Sequence, residues 1–231
     1  SRRSAAQTRQ LLLDTAVAMY HEVGAIAGVT HIRLSDVVKR AGLTTGAAYR
    51  LWDDQGAFHE ELARAAITWR DRGAAASTIT AIRPAIECHA PAQEVVRVGA
   101  EANLYSAADN GAFLATLALR AGAWGSPTLM EASRERLGES LADFATLYAG
   151  LIEHYGRRMR PPFTIDHLTL ALSALTEGFG IHGATGLEHP RVDWRHDDDR
   201  VGADWTLFGV AAWALIERLT EPAATAAGDP G

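Results

Sequence analysis

The chain holds a single cysteine, Cys88, among 231 residues. No internal disulfide or cysteine-based zinc site can form within it, and Cys88 reads as a small buried or half-buried side chain. There is no run of 18 apolar residues: Arg, Asp, Glu or His interrupts every hydrophobic stretch, so no membrane-spanning helix and no membrane partner is expected. The basic opening, Ser1 to Gln10, leads into no continuous apolar segment with a small-residue cleavage site, so a secretory signal is not expected and a cytoplasmic location is. Alternating β-branched runs are missing too. The nearest, Thr78 to Ile82, is too short to carry a sheet. His-Glu-x-x-His, Gly-x-Ser-x-Gly, Walker and dinucleotide-binding patterns do not occur, and Cys88 has no histidine partner placed for nucleophilic chemistry. An enzyme is therefore not expected, nor a cofactor.

What is present is an apolar fraction of 48%, enough for a substantial core, with Ala, Leu, Arg and Glu dominating. The fold class this implies is all-α. Charge is unevenly placed. The first fifty residues hold seven bases (Arg2, Arg3, Arg9, Arg33, Lys39, Arg40, Arg50) and three acids (Asp14, Glu22, Asp36). The whole chain is at −6, so the other 181 residues carry −10. A basic head on an acidic body suits a protein that meets phosphate with one end only.

Periodicity predicts a first helix over 7–23, with Leu12, Ala16, Met19, Tyr20 and Val23 on one stripe and Gly24 ending it. A second is expected over 34–41 (Leu34, Val37, Val38, Ala41), then a tight turn at Gly42. Thr44 or Thr45 caps a third helix ending near Trp52, and a fourth follows over 56–72 (Phe58, Leu62, Ala65 or Ala66, Trp69). The stretch from Gly73 to Ser77, and Pro84, mark a looser junction. Beyond it helices are expected near 91–109, 112–121, 128–156, 164–182 and 204–219, with a long loop from Gly183 to Gly202.

A helix, a turn with Gly42 and a second short helix form the helix-turn-helix pattern. At 100° per residue, Ala48, Leu51 and Trp52 share the inward side of the third helix. Gly46, Ala47, Tyr49 and Arg50 then point away, a face that is small, aromatic and basic. Small residues let a helix enter the DNA major groove, Tyr49 and Arg50 offer contacts to bases or phosphates, and Thr44 and Thr45 offer hydroxyls for a phosphate oxygen.

The segment from Leu34 to Phe58 resembles the DNA-binding part of the tetracycline-repressor (TetR) family of regulators. Ala41, Gly42, Leu43, Thr44, Gly46, Tyr49 and Trp52 stand at that family's spacing, and Thr8 to Gly24 resembles its first helix, with Ala16 and Gly24 in place. The likeness spans residues 8–62. It implies an N-terminal three-helix DNA-binding head (1–55), a C-terminal helical ligand-binding and dimerisation domain (56–231), and a helix over 56–72 connecting them. It further implies a homodimer that binds a near-palindromic double-stranded DNA operator, probed by recognition helices roughly 34–36 Å apart. Release by a small-molecule effector follows the same pattern, and repression is the expected mode.

Two departures stand out. Arg33 occupies a capping position where the family often has Ser or Thr. Gln55 stands where it usually has Lys to touch phosphate, beside Asp53 and Asp54. Phosphate grip is then expected from Arg33, Thr44, Tyr49, Arg50 and the basic arm from Arg2 to Arg9. The same departures leave room for the alternative of a binding protein of this fold that has lost DNA recognition and answers to a protein partner.

For dimerisation the resemblance implies stripes on the last two helices: Leu168, Leu172, Leu175 and Phe179, and Trp205, Phe208, Ala212, Leu215 and Leu219. Candidate effector liners are aromatic or polar tips set in apolar runs: Trp69, Asn103, Tyr105, Arg120, Trp124, Tyr148, Glu177 and His182. Such a set favours an apolar or aromatic effector. The run His189, His196, Asp197, Asp198 and Asp199 reads as a solvated loop. Glu177 and His182, five apart, lack the i, i+4 spacing of a helical metal pair, so no metal is expected.

Overall fold

A computed structural model describes residues 3–24, 28–48, 50–69, 73–108 and 110–223. In chain order the elements are α1 (Ala5–Val23), α2 (Leu34–Arg40), α3 (Thr45–Ala48), α4 (Gln55–Thr68), α5 (Gly73–Glu87), α6 (Ala92–Ala108), α7 (Gly111–Gly122), α8 (Pro127–His154), β1 (Arg157–Met159), α9 (Ile165–Ala184), β2 (Arg191–Asp193), β3 (Asp204–Thr206), α10 (Leu207–Leu219) and β4 (Thr220–Pro222). The chain is thus helical, as its composition implies, with two short antiparallel ladders, β1 with β4 and β2 with β3. Among the described residues, no helix is long and apolar enough to cross a membrane.

The chain divides into two compact units that are not contiguous in sequence. Unit 1 comprises Ser1–Asp71 and Asn110–Gly138; unit 2 comprises Arg72–Asp109 and Glu139–Gly231. The expected 1–55 head lies inside unit 1, but α7 and the first part of α8 belong there as well. Sequence order alone could not reveal that recruitment.

In unit 1, α1 opens with a capping box. Ser4 Oγ accepts from the Gln7 amide at 3.1 Å, and Gln7 Oε1 accepts from the Ser4 amide at 2.8 Å. Leu12, Leu13, Ala16, Val17 and Tyr20 pack with Val37, Val38, Ala48, Trp52, Phe58 and Leu62 into one core. Val23, expected on the buried stripe, is 56% exposed because it lies one residue before Gly24, where the helix has run past its partners. Tyr20 carries its hydroxyl into this core and donates to the Ala115 carbonyl at 2.9 Å, which ties α1 to α7. Gly24 and Gly42 adopt φ of +81° and +66°, left-handed values that favour glycine at both helix ends.

In unit 2, two expectations fail. Residues 73–77 and Pro84 do not mark a loose junction but lie within α5: the Ala-rich run after Gly73 is strong helix former, and Pro84 sits only three residues from the helix end. The segments read as loop around 157–162 and 183–202 carry β1 and β2, whose partners lie 61 and 11 residues on at the nearest pairs (Met159 opposite Thr220, Asp193 opposite Asp204), beyond the reach of local patterning. Within the second of these, Arg200 pairs with Asp198 and Arg191 bridges Glu101 and Asp204, so the charged loop is held by its own ion pairs.

Of the stripes named for a dimer face, Leu168, Leu172, Trp205, Phe208, Ala212 and Leu219 are buried within this chain's own core. Leu168, Leu172, Phe208, Ala212 and Leu219 pack with Ala100 and Leu104 of α6, with Leu175, Phe179 and Leu215 half-buried against them, while Trp205 and Trp213 join Val201 in a neighbouring cluster. On the same two helices Leu170, Ile181 and Leu207 remain exposed. Cys88, expected in or near the interior, is exposed because it follows the end of α5.

Candidate nucleic-acid interface and apolar cavity

The helix-turn-helix of unit 1 is fixed by an unexpected staple. Arg33 is the N-cap residue of α2 and makes no capping hydrogen bond. The work is done by Gln55, the first residue of α4. Its Oε1 accepts from the Leu34 amide at 3.2 Å and its Nε2 donates to the Ile32 carbonyl at 3.0 Å. His59, one turn further on, places Nε2 2.7 Å from the same amide nitrogen. Asp54 caps α4, accepting from the Ala57 amide at 2.8 Å. Of the three polar residues that sequence reasoning set against a phosphate, two are therefore parts of the scaffold. Only Asp53 has no such duty.

A second internal commitment involves Arg9. Its Nε donates to both Glu61 oxygens at 2.9 and 3.0 Å, its guanidinium lies 5.2 Å from the Trp52 ring centroid, and Trp52 Nε1 donates to the same carboxylate at 2.6 Å. Burial works to raise the Glu61 pKa, yet the hydrogen bonds from Arg9 and Trp52, then the Arg9 charge, hold it below the usual carboxylate value. Arg9 thus braces the core face of Trp52 and is withdrawn from the basic arm. Arg40 is likewise paired with Glu22. The side chains of Arg3, Arg33, Lys39 and Arg50 are exposed and form no ion pair among the described residues, so the positive charge of the head is concentrated in them.

Ala48 and Trp52 are buried and Leu51 packs against them, which turns the other side of α3 outward. Thr44, Thr45, Gly46 and Arg50 are exposed there. Arg50 Nε donates to the Gly46 carbonyl at 3.1 Å, so the guanidinium is held along the helix and not left to sweep freely. At Gly46 a Cβ would meet no atom of the described residues within 4 Å, so the outward face has open space in front of it. Tyr49 lies outside the described residues, as does Arg2, and the side chain of Ala47 is likewise not described.

Unit 2 contains a partly open cavity bounded by α5, α6, α8, α9 and α10, with about 820 Å³ of atom-free space when the open solvent at its mouth is included. Its wall is built of Val, Leu, Ile and Ala side chains with Phe208 and Trp213. Gly99 brings α6 close to α5: a Cβ there would lie 2.9 Å from Ile82 Cγ2. Polar groups in the wall are few, chiefly Thr78, Asn103, Tyr148, Tyr155 and Arg157.

Of the eight candidate liners, Asn103 and Tyr148 lie in this wall. The other six do not. Trp69 caps the end of α4 in unit 1, packs edge-on against His21 at 4.5 Å, and accepts from Arg136 through its carbonyl. Arg120 and Trp124 are also in unit 1, Trp124 being 90% exposed. Tyr105 is exposed and its hydroxyl accepts from Arg191 at 3.3 Å. Glu177 is half-buried on α9 away from the cavity, and exposed His182 stacks near Phe179 and His189. Sequence reasoning missed the aliphatic wall. The available signal was the row Leu147, Tyr148, Leu151 and Ile152 on α8, spaced as one helical face, with Tyr155 just past the helix end. The α5 contribution was hidden because that helix was read as a junction.

No protein-family model matches the chain. No curated protein matches it either. Among solved structures it is similar to a Shewanella sp. PV-4 protein whose description names the TetR family of transcription regulators, at 14% identity over 95% of this chain and 100% of the other, with a TM-score of 0.48.

Proposed function

We propose that this chain is a DNA-binding transcription regulator, a repressor that grips a near-palindromic operator as a homodimer in the cytoplasm and is released by a small molecule bound in unit 2. The observation that carries the reading is the outward face of α3. A basic, hydroxyl-bearing and otherwise small surface stands in front of open space, on a helix-turn-helix pinned from behind by Gln55 and by the Glu61 brace. The resemblance of residues 34–58 to TetR-family heads supports it.

In this reading Thr44, Thr45, Gly46, Ala47, Tyr49 and Arg50 meet the major groove and Arg33 meets the backbone beside it. Arg33 is suited to that part because capping makes no demand on its guanidinium. Gln55, Asp54 and Arg9 are not contacts but supports. The departures at Gln55 and Asp54 then cease to favour a protein that has lost DNA recognition. Exposed Leu170, Ile181 and Leu207 offer an apolar face for the second copy. The effector acts by a coupling free energy typically of about 1–3 kcal/mol, roughly 5–150-fold in operator affinity.

The test is selection of random duplex DNA by the purified protein at moderate salt, read by sequencing. Enrichment of a near-palindrome with half-sites about one helical turn apart is expected. A folded dimer that enriches nothing and shows no salt-dependent DNA shift would overturn the reading.

A further inference from the structure

The cavity of unit 2 is unusual less for its size than for what its wall lacks. Among the described residues no Asp or Glu lines it, so an amine or a metal complex would find no counter-charge there. The one cationic liner among the described residues, Arg157, is turned to the protein: Nε donates to Thr220 Oγ1 at 2.8 Å and Nη2 to the Thr220 carbonyl at 3.3 Å. A carboxylate or phosphate pushed among Val95, Leu151, Leu168 and Ile216 would lose its hydration for no equal return.

Two polar groups in the wall remain unused. Neither the Tyr148 hydroxyl nor the Asn103 amide makes a hydrogen bond to any described residue; both side chains are half-buried and line the cavity, and burial weighs most on Tyr148. Tyr155, by contrast, spends its hydroxyl on the Ala90 carbonyl at 3.1 Å. Burial drives the Tyr148 pKa far upward, so the phenol stays a neutral donor throughout the accessible pH range. A hydroxyl that faces an apolar cavity without a protein partner is free to donate to a ligand oxygen.

We infer that the cavity takes a neutral, predominantly apolar molecule carrying a carbonyl or ether oxygen that accepts a hydrogen bond from Tyr148. Phe208 and Trp213 supply aromatic faces, the aliphatic wall supplies the bulk of the contact, and the Asn103 amide offers a second polar point. The inference deepens the effector reading proposed above and rests on it for its regulatory meaning, but not for binding itself.

The experiment uses the full chain without DNA. The neutral fluorophore N-phenyl-1-naphthylamine is bound first, then displaced by three competitors of equal chain length: 2-decanone, decanoate and decyltrimethylammonium. The ketone should displace it at about tenfold lower concentration than either ion. Tyr148→Phe, which keeps the ring and removes only the hydroxyl, should weaken the ketone by about three- to tenfold and leave the fluorophore's own affinity unchanged. Decanoate binding more tightly than the ketone, with that preference lost in Arg157→Gln, would overturn the inference in favour of an acidic amphiphile. Failure of fluorophore and ketone alike to bind a protein that melts cooperatively would overturn it outright. Repeating the titration with operator bound separates the two readings. A ketone that binds yet leaves the DNA complex intact sinks the regulatory role and leaves the cavity chemistry standing.

Discussion

The side-chain oxygen of Gln55 accepts the Leu34 amide at 3.2 Å, so the N-terminus of α2 is capped from the first residue of α4, 21 positions along the chain. The relationship explains two departures at once. Arg33 stands at the cap and cannot accept a hydrogen bond; Gln55 stands where a cation would touch phosphate and supplies the missing acceptor.

Gln55→Ala should therefore destabilise the chain by about 0.5–2 kcal/mol, the usual cost of a lost cap. Gln55→Lys should cost a similar amount, because an ammonium cannot accept from Leu34, even though it adds positive charge to the head. Urea denaturation of the three proteins decides it. Unchanged midpoints in both variants would mean that water replaces Gln55 at no cost and that the staple contributes nothing.

These contacts also mark where the sequence was legible. Helices with a clean apolar stripe were readable: α1 up to its end at Gly24, though its start at Ala5 behind the Ser4 cap lies two residues before the expected one, and α4 from Phe58 to Ala66. So was the turn at Gly42, because its φ of +66° favours glycine. Angular spacing also found the buried Ala48 and Trp52, although α3 ends at Ala48 and not near Trp52 as expected. What stayed hidden depended on distant partners: Arg9 reads as a phosphate contact until Glu61 is beside it, and Leu168 and Phe208 read as a dimer face until α6 is seen to cover them. The cavity was half legible. Tyr148 and Asn103 stand out as polar residues in apolar runs, but an aliphatic wall looks the same in sequence as any core.

The Arg9, Glu61 and Trp52 cluster sets a pH dependence. Hydrogen bonds hold the folded-state pKa of Glu61 below its ordinary value of 4.5. The unfolded chain therefore takes up this proton first on acidification. The stabilisation is complete above that ordinary value and is lost as pH falls through the folded one. Wild type should exceed Glu61→Gln in thermal stability at neutral pH, with the gap narrowing as pH drops below about 4.5. A gap that stays constant down to about pH 3 would show that the charge on Glu61 is not what the cluster uses.

Gly99 tests how tightly α5 and α6 are packed. A Cβ there would lie 2.9 Å from Ile82 Cγ2 and 3.8 Å from Thr78 Cγ2, and Ile82 is buried. Gly99→Ala should cost about 1–3 kcal/mol through overpacking, partly offset by about 1 kcal/mol of better helix propensity. In an Ile82→Ala background the clash is gone, so the same substitution should become neutral or stabilising. Additive effects in the double variant, measured by denaturation, would rule out the contact as the cause.

Gly46 separates folding from recognition. Its backbone is helical, its position is exposed, and a Cβ would meet no atom of the described residues within 4 Å, so nothing among them requires glycine there. Gly46→Ala should leave stability unchanged or raise it by up to about 1 kcal/mol, as expected for removing a glycine from a helix. Gly46→Leu should fold equally well, yet it should weaken operator binding by about tenfold or more, because a branched side chain holds the helix away from the base edges. Arg50→Ala serves as the control: it should also weaken binding, and it should reduce the salt dependence by about 0.9 in log–log slope if the guanidinium rests on a phosphate. The leucine substitution adds no charge and removes none, so its slope should stay that of wild type. If Gly46→Leu binds the selected operator as tightly as wild type while Arg50→Ala does not, then the basic side chain reaches DNA but the small face of α3 does not enter the groove, and recognition must run through other residues of the head.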